Sequence, residues 1–196
     1  MDKKTSVIII EDHSIVLQGL IDYFHKTDRF TIAGAVSNLE EAKILLGNVT
    51  AEVIILDIQL KDGFGLTLIP LLAFKPVIAV YTAYDDFIHV NSALSKGVHV
   101  YMSKHRSVKE LDEAITNALN GEKYIDDSVQ VKLDLITNAA ETLTKRESEI
   151  FTLVKNGLSN KRIASQLGIA VRTVENILSC VYNKIGVRSR AELQDL

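Results

Sequence analysis

The sequence predicts an α/β fold, a doubly wound five-stranded parallel sheet, followed by a small all-α domain. Two observations support the sheet: short continuous apolar runs recur between residues 7 and 102, and amphipathic segments separate them. Continuous apolar character is typical of strands that are buried on both faces of a parallel sheet. After residue 142 the apolar spacing is helical throughout, which predicts helices alone.

The first part of the chain contains five predicted strand–helix units. The predicted strands cover 7–10, 31–36, 53–56, 77–81 and 98–102. The predicted helices cover 14–26, 38–47, 65–74, 85–96 and 107–120. Ser107 and Glu110 have the spacing of a capping box, which marks the start of the last helix. Alternating strands and helices of this size predict an open α/β sheet.

The second part contains four predicted helices. They cover 147–156, 160–167, 171–185 and 190 to the end. Between the two parts, residues 121–141 break the pattern with turn-forming residues, and we interpret them as a linker. The predicted domains are therefore 1–120 and 142–196.

Composition and charge exclude several classes of protein. The single cysteine, Cys180, cannot form an internal disulfide, and the apolar run 7–10 is too short for a signal peptide, so we expect a cytoplasmic protein. The long apolar stretch 65–84 contains Lys75 and two prolines, which favours a helix, a turn and a strand over a membrane span.

The charge is divided unequally between the two parts. Residues 1–141 carry 13 Lys and Arg against 20 Asp and Glu, whereas residues 142–196 carry 9 against 5. The resulting balances of −7 and +4 indicate different partners. An acidic part can gather a divalent cation, and a basic part can contact a phosphate backbone.

Polar residues follow the predicted strands where each strand ends. They are Glu11, Asp12, Asp57, Thr82 and Lys104. Because the carboxyl ends of parallel strands meet at one edge of a sheet, we expect these side chains to share a pocket. Clustered carboxylates require a compensating cation, and Mg²⁺ is the expected one because it prefers oxygen ligands. An Asp beside Mg²⁺ can attack phosphorus, with a Lys and a Thr stabilising the developing charge.

Residues 5–120 resemble the receiver domain of bacterial two-component response regulators. The matching elements are Glu11-Asp12, Asp57 with Asp62-Gly63, Thr82-Ala83 and Tyr101-Met102-Ser103-Lys104. The resemblance implies that a histidine kinase phosphorylates Asp57, and that Mg²⁺ is held by Glu11, Asp12, Asp57 and the carbonyl of Gln59. It also implies that Thr82 moves towards the phosphoryl group, that Tyr101 moves inward as a switch, and that Lys104 pairs with the phosphate. His13, beside the acidic pair, is expected to be a loop residue without a role.

Residues 142–196 resemble the LuxR-type helix-turn-helix, which together with the receiver is typical of the NarL/FixJ class. The match runs through Leu143-Thr144-Lys145-Arg146-Glu147, Gly157 to Ala164, Leu167-Gly168-Ile169, Arg172-Thr173-Val174-Glu175-Asn176 and Lys184 to Leu193. The helix from Val171 is expected to enter the major groove. The candidate DNA contacts are Lys161, Arg172, Thr173, Asn176, Lys184 and Arg188.

The same helix has one predicted core face. That face is Val174, Ile177, Val181 and Ile185, and Cys180 is expected to be a small buried residue. Arg172 is the only cation of the helix before Lys184, so we expect modest attraction to phosphates and a need for dimerisation.

We therefore interpret the chain as a transcriptional regulator and not an enzyme. Phosphorylation of Asp57 by a sensor histidine kinase is expected to promote a homodimer that binds promoter half-sites in double-stranded DNA. One alternative keeps the fold and makes the weakly basic helix a protein-binding surface. A second alternative is a phosphatase of the dehalogenase type. Its nucleophile would follow the first strand, whereas Asp57 follows the third.

Overall fold

The computed structural model describes residues 3–84, 87–131 and 142–195, and the chain divides into two compact units at 126/127. The strands are β1 (Thr5–Ile10), β2 (Phe30–Val36), β3 (Val53–Leu56), β4 (Gln59–Leu60), β5 (Gly63–Phe64), β6 (Val77–Thr82), β7 (Val100–Ser103) and β8 (Tyr124–Ile125). The helices are α1 (Ser14–Lys26), α2 (Leu39–Asn48), α3 (Phe87–Ser95), α4 (Val108–Leu119), α5 (Lys145–Lys155), α6 (Asn160–Leu167), α7 (Val171–Ile185) and α8 (Arg190–Asp195).

The first unit is built on a parallel sheet with the order β2-β1-β3-β6-β7-β8. Its central strands β1, β3 and β6 are almost entirely buried, which explains their continuous apolar sequences. The chain places β2 on one side of β1 and all later strands of the sheet on the other side, starting with β3. In open α/β sheets a ligand crevice lies beyond the carboxyl ends of the two strands at such a switch point, which are β1 and β3 here. The predicted parallel α/β fold is confirmed.

One predicted helix is absent. Residues 65–74 were expected to be helical, but they form two short 3₁₀ turns, Gly65–Thr67 and Ile69–Leu71. Pro70 lacks a backbone N–H and restricts the residue before it, so a continuous α-helix through this segment is disfavoured. The antiparallel pair of β4 and β5 ends at Phe64, so the turns begin directly after it.

The sheet extends further along the chain than predicted. Tyr124–Ile125 form β8, which pairs with β7. Residues 127–131 are helical. Both elements lie in the segment 121–141 that was interpreted as a linker. The strand was missed because two residues are too few for a period to be recognised. The rest of that segment, 132–141, lies outside the described residues.

The second unit consists of the helices α5 to α8. Thr144 and Glu147 form a capping box at the start of α5, and Gly168 ends α6 in the left-handed conformation that glycine adopts without strain. The buried face of α7 is Val174, Leu178, Val181 and Ile185.

Two expectations for α7 are wrong. Leu178 takes the core position expected for Ile177, which is only half-buried. One helical turn is about 3.6 residues, so a residue four positions after Val174 lies closer to the direction of Val174 than a residue three positions after it. Cys180 is exposed and not buried. None of the helices in the described ranges combines the length and the apolar character that crossing a bilayer requires.

Candidate functional site

Three carboxylates meet at the carboxyl edge of the sheet. Glu11 and Asp12 follow β1, and Asp57 follows β3; their residues are 1%, 8% and 3% exposed. The backbone continues the pairing of the two strands, because the N–H of Asp57 donates to the carbonyl of Ile10 at 2.9 Å. The sequence pattern predicted this convergence, and the structure brings these side chains together.

Lys104 supplies a cation to this cluster. Its Nζ lies 2.6 Å from Asp57 Oδ2 and 2.7 Å from Glu11 Oε2. Burial alone lowers the pKa of this ammonium group, but the hydrogen bonds to Asp57 and Glu11 outweigh burial and raise the pKa above its ordinary value. Lys104 is therefore held as a cation between the two carboxylates.

Two buried oxygens in the cluster accept no hydrogen bond within the described part of the chain. They are Asp12 Oδ1 and Asp57 Oδ1. A buried charged oxygen without a partner is costly, and a bound cation relieves that cost. Ligand atoms of Glu11, Asp12, His13 and Asp57 all lie within 4.8 Å of one another, so these donors fit a divalent ion.

His13 belongs to this cluster, although the sequence indicated a loop residue without a role. Its Nδ1 lies 2.9 Å from Asp12 Oδ1 and 3.1 Å from Glu11 Oε1. Its backbone N–H also donates to Glu11 Oε1 at 2.9 Å. The sequence shows that His13 directly follows the acidic pair, but a position in the sequence does not give the direction of the imidazole ring.

Gln59, expected to contribute its backbone carbonyl, lies in β4 and is half-buried. Its side-chain Nε2 donates to the carbonyl of Leu60 at 3.3 Å. The side-chain amide is therefore engaged locally, and the expected contribution of the backbone carbonyl stays a prediction.

Thr82 and Tyr101 occupy the neighbouring strands β6 and β7. Thr82 is fully buried, and its carbonyl accepts from the N–H of Lys104 at 2.8 Å. The ring of Tyr101 is also fully buried, and its hydroxyl donates to the carbonyl of Tyr84 at 2.8 Å. In this structure Tyr101 therefore points inward.

Gly65 allows a close backbone approach that the sequence did not reveal. A Cβ at this position would lie 2.1 Å from the carbonyl oxygen of Asp57. The N–H of Gly65 also donates to the carbonyl of Ile58 at 2.7 Å. The first 3₁₀ turn is thus packed directly against the backbone that carries Asp57, and only glycine fits there.

Arg106 ties the loop after Lys104 to the end of the first unit. Its Nε and Nη2 donate to the two carboxylate oxygens of the buried Asp126 at 3.1 and 3.2 Å. The N–H of Asp126 donates to the carbonyl of Tyr101 at 2.9 Å. A guanidinium and a carboxylate that are joined by two hydrogen bonds hold each other in a defined orientation. This pair joins residues 20 positions apart, which periodicity does not indicate.

The second unit exposes all six candidate DNA contacts. They are Lys161 on α6, Arg172, Thr173, Asn176 and Lys184 on α7, and Arg188 after α7. Lys184 differs, because its Nζ lies 2.7 Å from Glu147 Oε2. Lys184 thus has a partner within the unit, and this ion pair joins α5 to α7.

Comparisons with known proteins agree with this arrangement. Residues 7–116 match the family model described as response regulator receiver domain, and residues 141–196 match the one described as bacterial regulatory proteins, luxR family. The chain is 30% identical to the nitrate/nitrite response regulator protein homolog of Haemophilus influenzae, covering 97% of this chain and 94% of that protein. It is 29% identical to the transcriptional regulatory protein YdfI of Bacillus subtilis, covering 95% and 92%.

A solved structure has the same fold over nearly the whole chain. It contains two RcsB dimers bound to two parallel DNAs and is 25% identical, with a TM-score of 0.72 over 98% of this chain and 97% of that chain. Two family models, curated relatives and this fold thus agree on one assignment. The chain belongs to the bacterial response regulators of the NarL/FixJ class, transcriptional regulators of two-component systems with a receiver domain and a LuxR-type DNA-binding domain.

Proposed function

We propose that Asp57 accepts a phosphoryl group from a sensor histidine kinase, and that this event promotes a homodimer that binds promoter half-sites in the cytoplasm. The observation that carries the proposal is Asp57 Oδ1, a buried carboxylate oxygen that accepts no hydrogen bond from the described residues. Lys104 holds the other oxygen, Oδ2, at 2.6 Å. One oxygen is thus fixed and the other is left to react.

Phosphoryl transfer requires a nucleophile and compensation for negative charge. Asp57 Oδ1 attacks phosphorus, the bond from phosphorus to the kinase histidine nitrogen breaks, and that nitrogen keeps the electron pair. Glu11, Asp12, Asp57 and the backbone carbonyl of Gln59 are the proposed ligands of Mg²⁺, which would neutralise charge on the phosphoryl oxygens. Lys104 adds a second cation, and the hydroxyl of Thr82 donates a hydrogen bond to the group once it is bound.

Tyr101 is the proposed reporter of this event. Its hydroxyl donates to the carbonyl of Tyr84, which lies two residues after Thr82. Movement of Thr82 towards the phosphoryl group would also move Tyr84, whose carbonyl accepts this hydrogen bond. We therefore propose that phosphorylation favours the inward rotamer of Tyr101, which is the rotamer present here.

DNA recognition is assigned to the exposed side of α7. Arg172 and Asn176 have the hydrogen-bonding groups that read guanine and adenine edges. Lys161, Thr173 and Arg188 are proposed to contact phosphates, and these contacts fix the register of the helix in the groove. RcsB, the structural relative, is bound to DNA as dimers. A homodimer would double the number of contacts available to this weakly basic helix. Lys184 already pairs with Glu147, so a phosphate would share or compete for its ammonium group.

The test is DNA binding by the full-length protein with and without Mg²⁺ and beryllofluoride, at two salt concentrations. We expect tighter, sequence-selective binding with beryllofluoride, and no response in Asp57→Asn, which keeps the size of the side chain. Arg172→Ala is expected to relax selectivity, whereas Lys96→Ala in the receiver domain serves as a charge-matched control.

Other outcomes have definite meanings. Selective binding that ignores beryllofluoride would show that Asp57 is not the switch. Binding to no DNA in any condition would overturn the proposal and favour a protein partner for α7. Because binding through phosphates weakens steeply with salt, the two salt concentrations separate DNA contacts from apolar association.

A further inference from the structure

The imidazole of His13 faces the carboxylates of the proposed metal site. Its Nδ1 lies 2.9 Å from Asp12 Oδ1 and 3.1 Å from Glu11 Oε1. Candidate ligand atoms of these three residues and of Asp57 fall within 4.8 Å of one another. His13 is the nitrogen donor in a group whose other members are carboxylates.

These separations suit ligands that share one ion. A divalent ion with octahedral ligands at about 2.1 Å places adjacent ligand atoms about 3.0 Å apart. The two distances from His13 Nδ1 lie close to that value. Despite the short separation, Asp12 Oδ1 accepts no well-aligned hydrogen bond from His13 or from any other described residue. A cation bound by both atoms would satisfy Asp12 Oδ1, and His13 Nδ1 would give up its hydrogen bond with Glu11 Oε1 to bind the ion.

The local backbone holds the ring near the site and leaves it accessible. His13 is the residue that precedes α1, and its N–H is anchored by Glu11 Oε1. Its side chain is 69% exposed, and it lines an open cleft with Asp12, Ile15 and Lys61. Such a cleft supplies the entry path that an exchangeable ion needs.

We propose that His13 is a metal ligand, and that it gives this site a preference for divalent transition metals over Mg²⁺. The inference rests on the metal site of the proposed function. Imidazole nitrogen is a common ligand of transition metals, whereas Mg²⁺ is bound mainly by carboxylates, carbonyls and water. A site with oxygen ligands alone would lack this source of discrimination.

The experiment measures Mn²⁺ bound to the full-length protein by pulsed electron paramagnetic resonance, which detects coupling to a ligand nitrogen. We expect nitrogen coupling in the unmodified protein and in His105→Gln, the control close to Lys104 in sequence. We expect no coupling in His13→Gln, which keeps a polar side chain of similar reach. His13→Gln should also weaken Mn²⁺ binding at least about tenfold while Mg²⁺ affinity is unchanged.

The outcomes separate this inference from the proposed function. Bound Mn²⁺ without nitrogen coupling would overturn the role of His13 and leave the carboxylate site intact. Coupling that survives in His13→Gln, or that is lost in His105→Gln, would also overturn it. Absence of Mn²⁺ and Mg²⁺ binding to the unmodified protein would overturn both the inference and the metal site.

Discussion

The Lys104 ammonium lies 2.6 Å from Asp57 Oδ2 and leaves Asp57 Oδ1 without a hydrogen bond from the described residues. The two oxygens of one carboxylate are thus in different environments. Lys104 also contacts Glu11 at 2.7 Å, so one cation compensates carboxylates from β1 and β3. This arrangement places one cation against two of the carboxylates, and the proposed function uses the remaining oxygen of Asp57.

Replacing Lys104 with Gln should destabilise the metal-free protein by about 3 kcal/mol, because it leaves buried carboxylates without their cation. A saturating divalent cation should recover part of that loss, since the ion supplies the missing positive charge. Urea unfolding with and without Mg²⁺ measures both effects. Lys109→Gln, whose side chain is 76% exposed, should cost less than about 1 kcal/mol. Equal costs for the two variants would contradict the assigned role of Lys104.

Gly65→Ala should destabilise the first unit by about 1–3 kcal/mol, because the added Cβ would overlap the carbonyl of Asp57. It should also slow phosphorylation of Asp57 by acetyl phosphate, because the backbone that carries the nucleophile must shift. Gly47→Ala is the control, since its Cβ meets nothing within 4 Å. That variant lies in α2 and should be neutral or stabilising. A Gly65→Ala protein with unchanged stability and phosphorylation would show that this close approach is not required.

Breaking the Arg106–Asp126 pair should release β8 from the edge of the sheet. Arg106→Gln leaves a buried carboxylate without its paired donors, at a cost of about 1–3 kcal/mol. Hydrogen exchange at the amides of Tyr124 and Asp126 should become faster, since these two N–H groups donate to the carbonyls of His99 and Tyr101. A double-mutant cycle with Asp126→Asn isolates the coupling between the two side chains. Additive costs, with unchanged exchange at both amides, would argue against an anchor.

Glu147 makes the stability of the second unit depend on pH. Hydrogen bonds from the Lys184 ammonium and from the N–H of Thr144 lower the pKa of Glu147 from 4.5 to about 2. A carboxyl group with a lowered pKa in the folded state stabilises the fold above its unfolded pKa. That stabilisation is therefore present above pH 4.5 and is lost as the pH falls towards 2.

The measurement is the difference in unfolding free energy between the unmodified protein and Glu147→Gln as a function of pH. We expect the difference to be largest at neutral pH and to shrink as the pH falls below 4.5. Glu175→Gln, on the exposed side of α7, is the control for loss of one negative charge. A difference that does not change with pH would contradict the ion pair with Lys184.

Much of the site followed from where strands end. Glu11, Asp12, Asp57 and Lys104 each follow a continuous apolar run, and parallel strands deliver such residues to one edge. Helical periodicity was wrong for residues 65–74, because Pro70 disfavours a continuous helix through this segment. It was wrong again for Cys180 and Ile177, where a shift along the face of α7 decides which side chains are buried.

The sequence by itself determined most of the strand and helix pattern, the two-part organisation, and which charged residues reach the edge of the sheet. These properties depend on local periodicity and on charges next to apolar runs. Only the tertiary structure decided that His13 faces the carboxylates, that Gly65 lies against Asp57, and that Arg106 pairs with Asp126. Those relationships depend on the direction of side chains and on contacts between residues distant in sequence. Both are set by packing, which the local pattern of residue types does not encode.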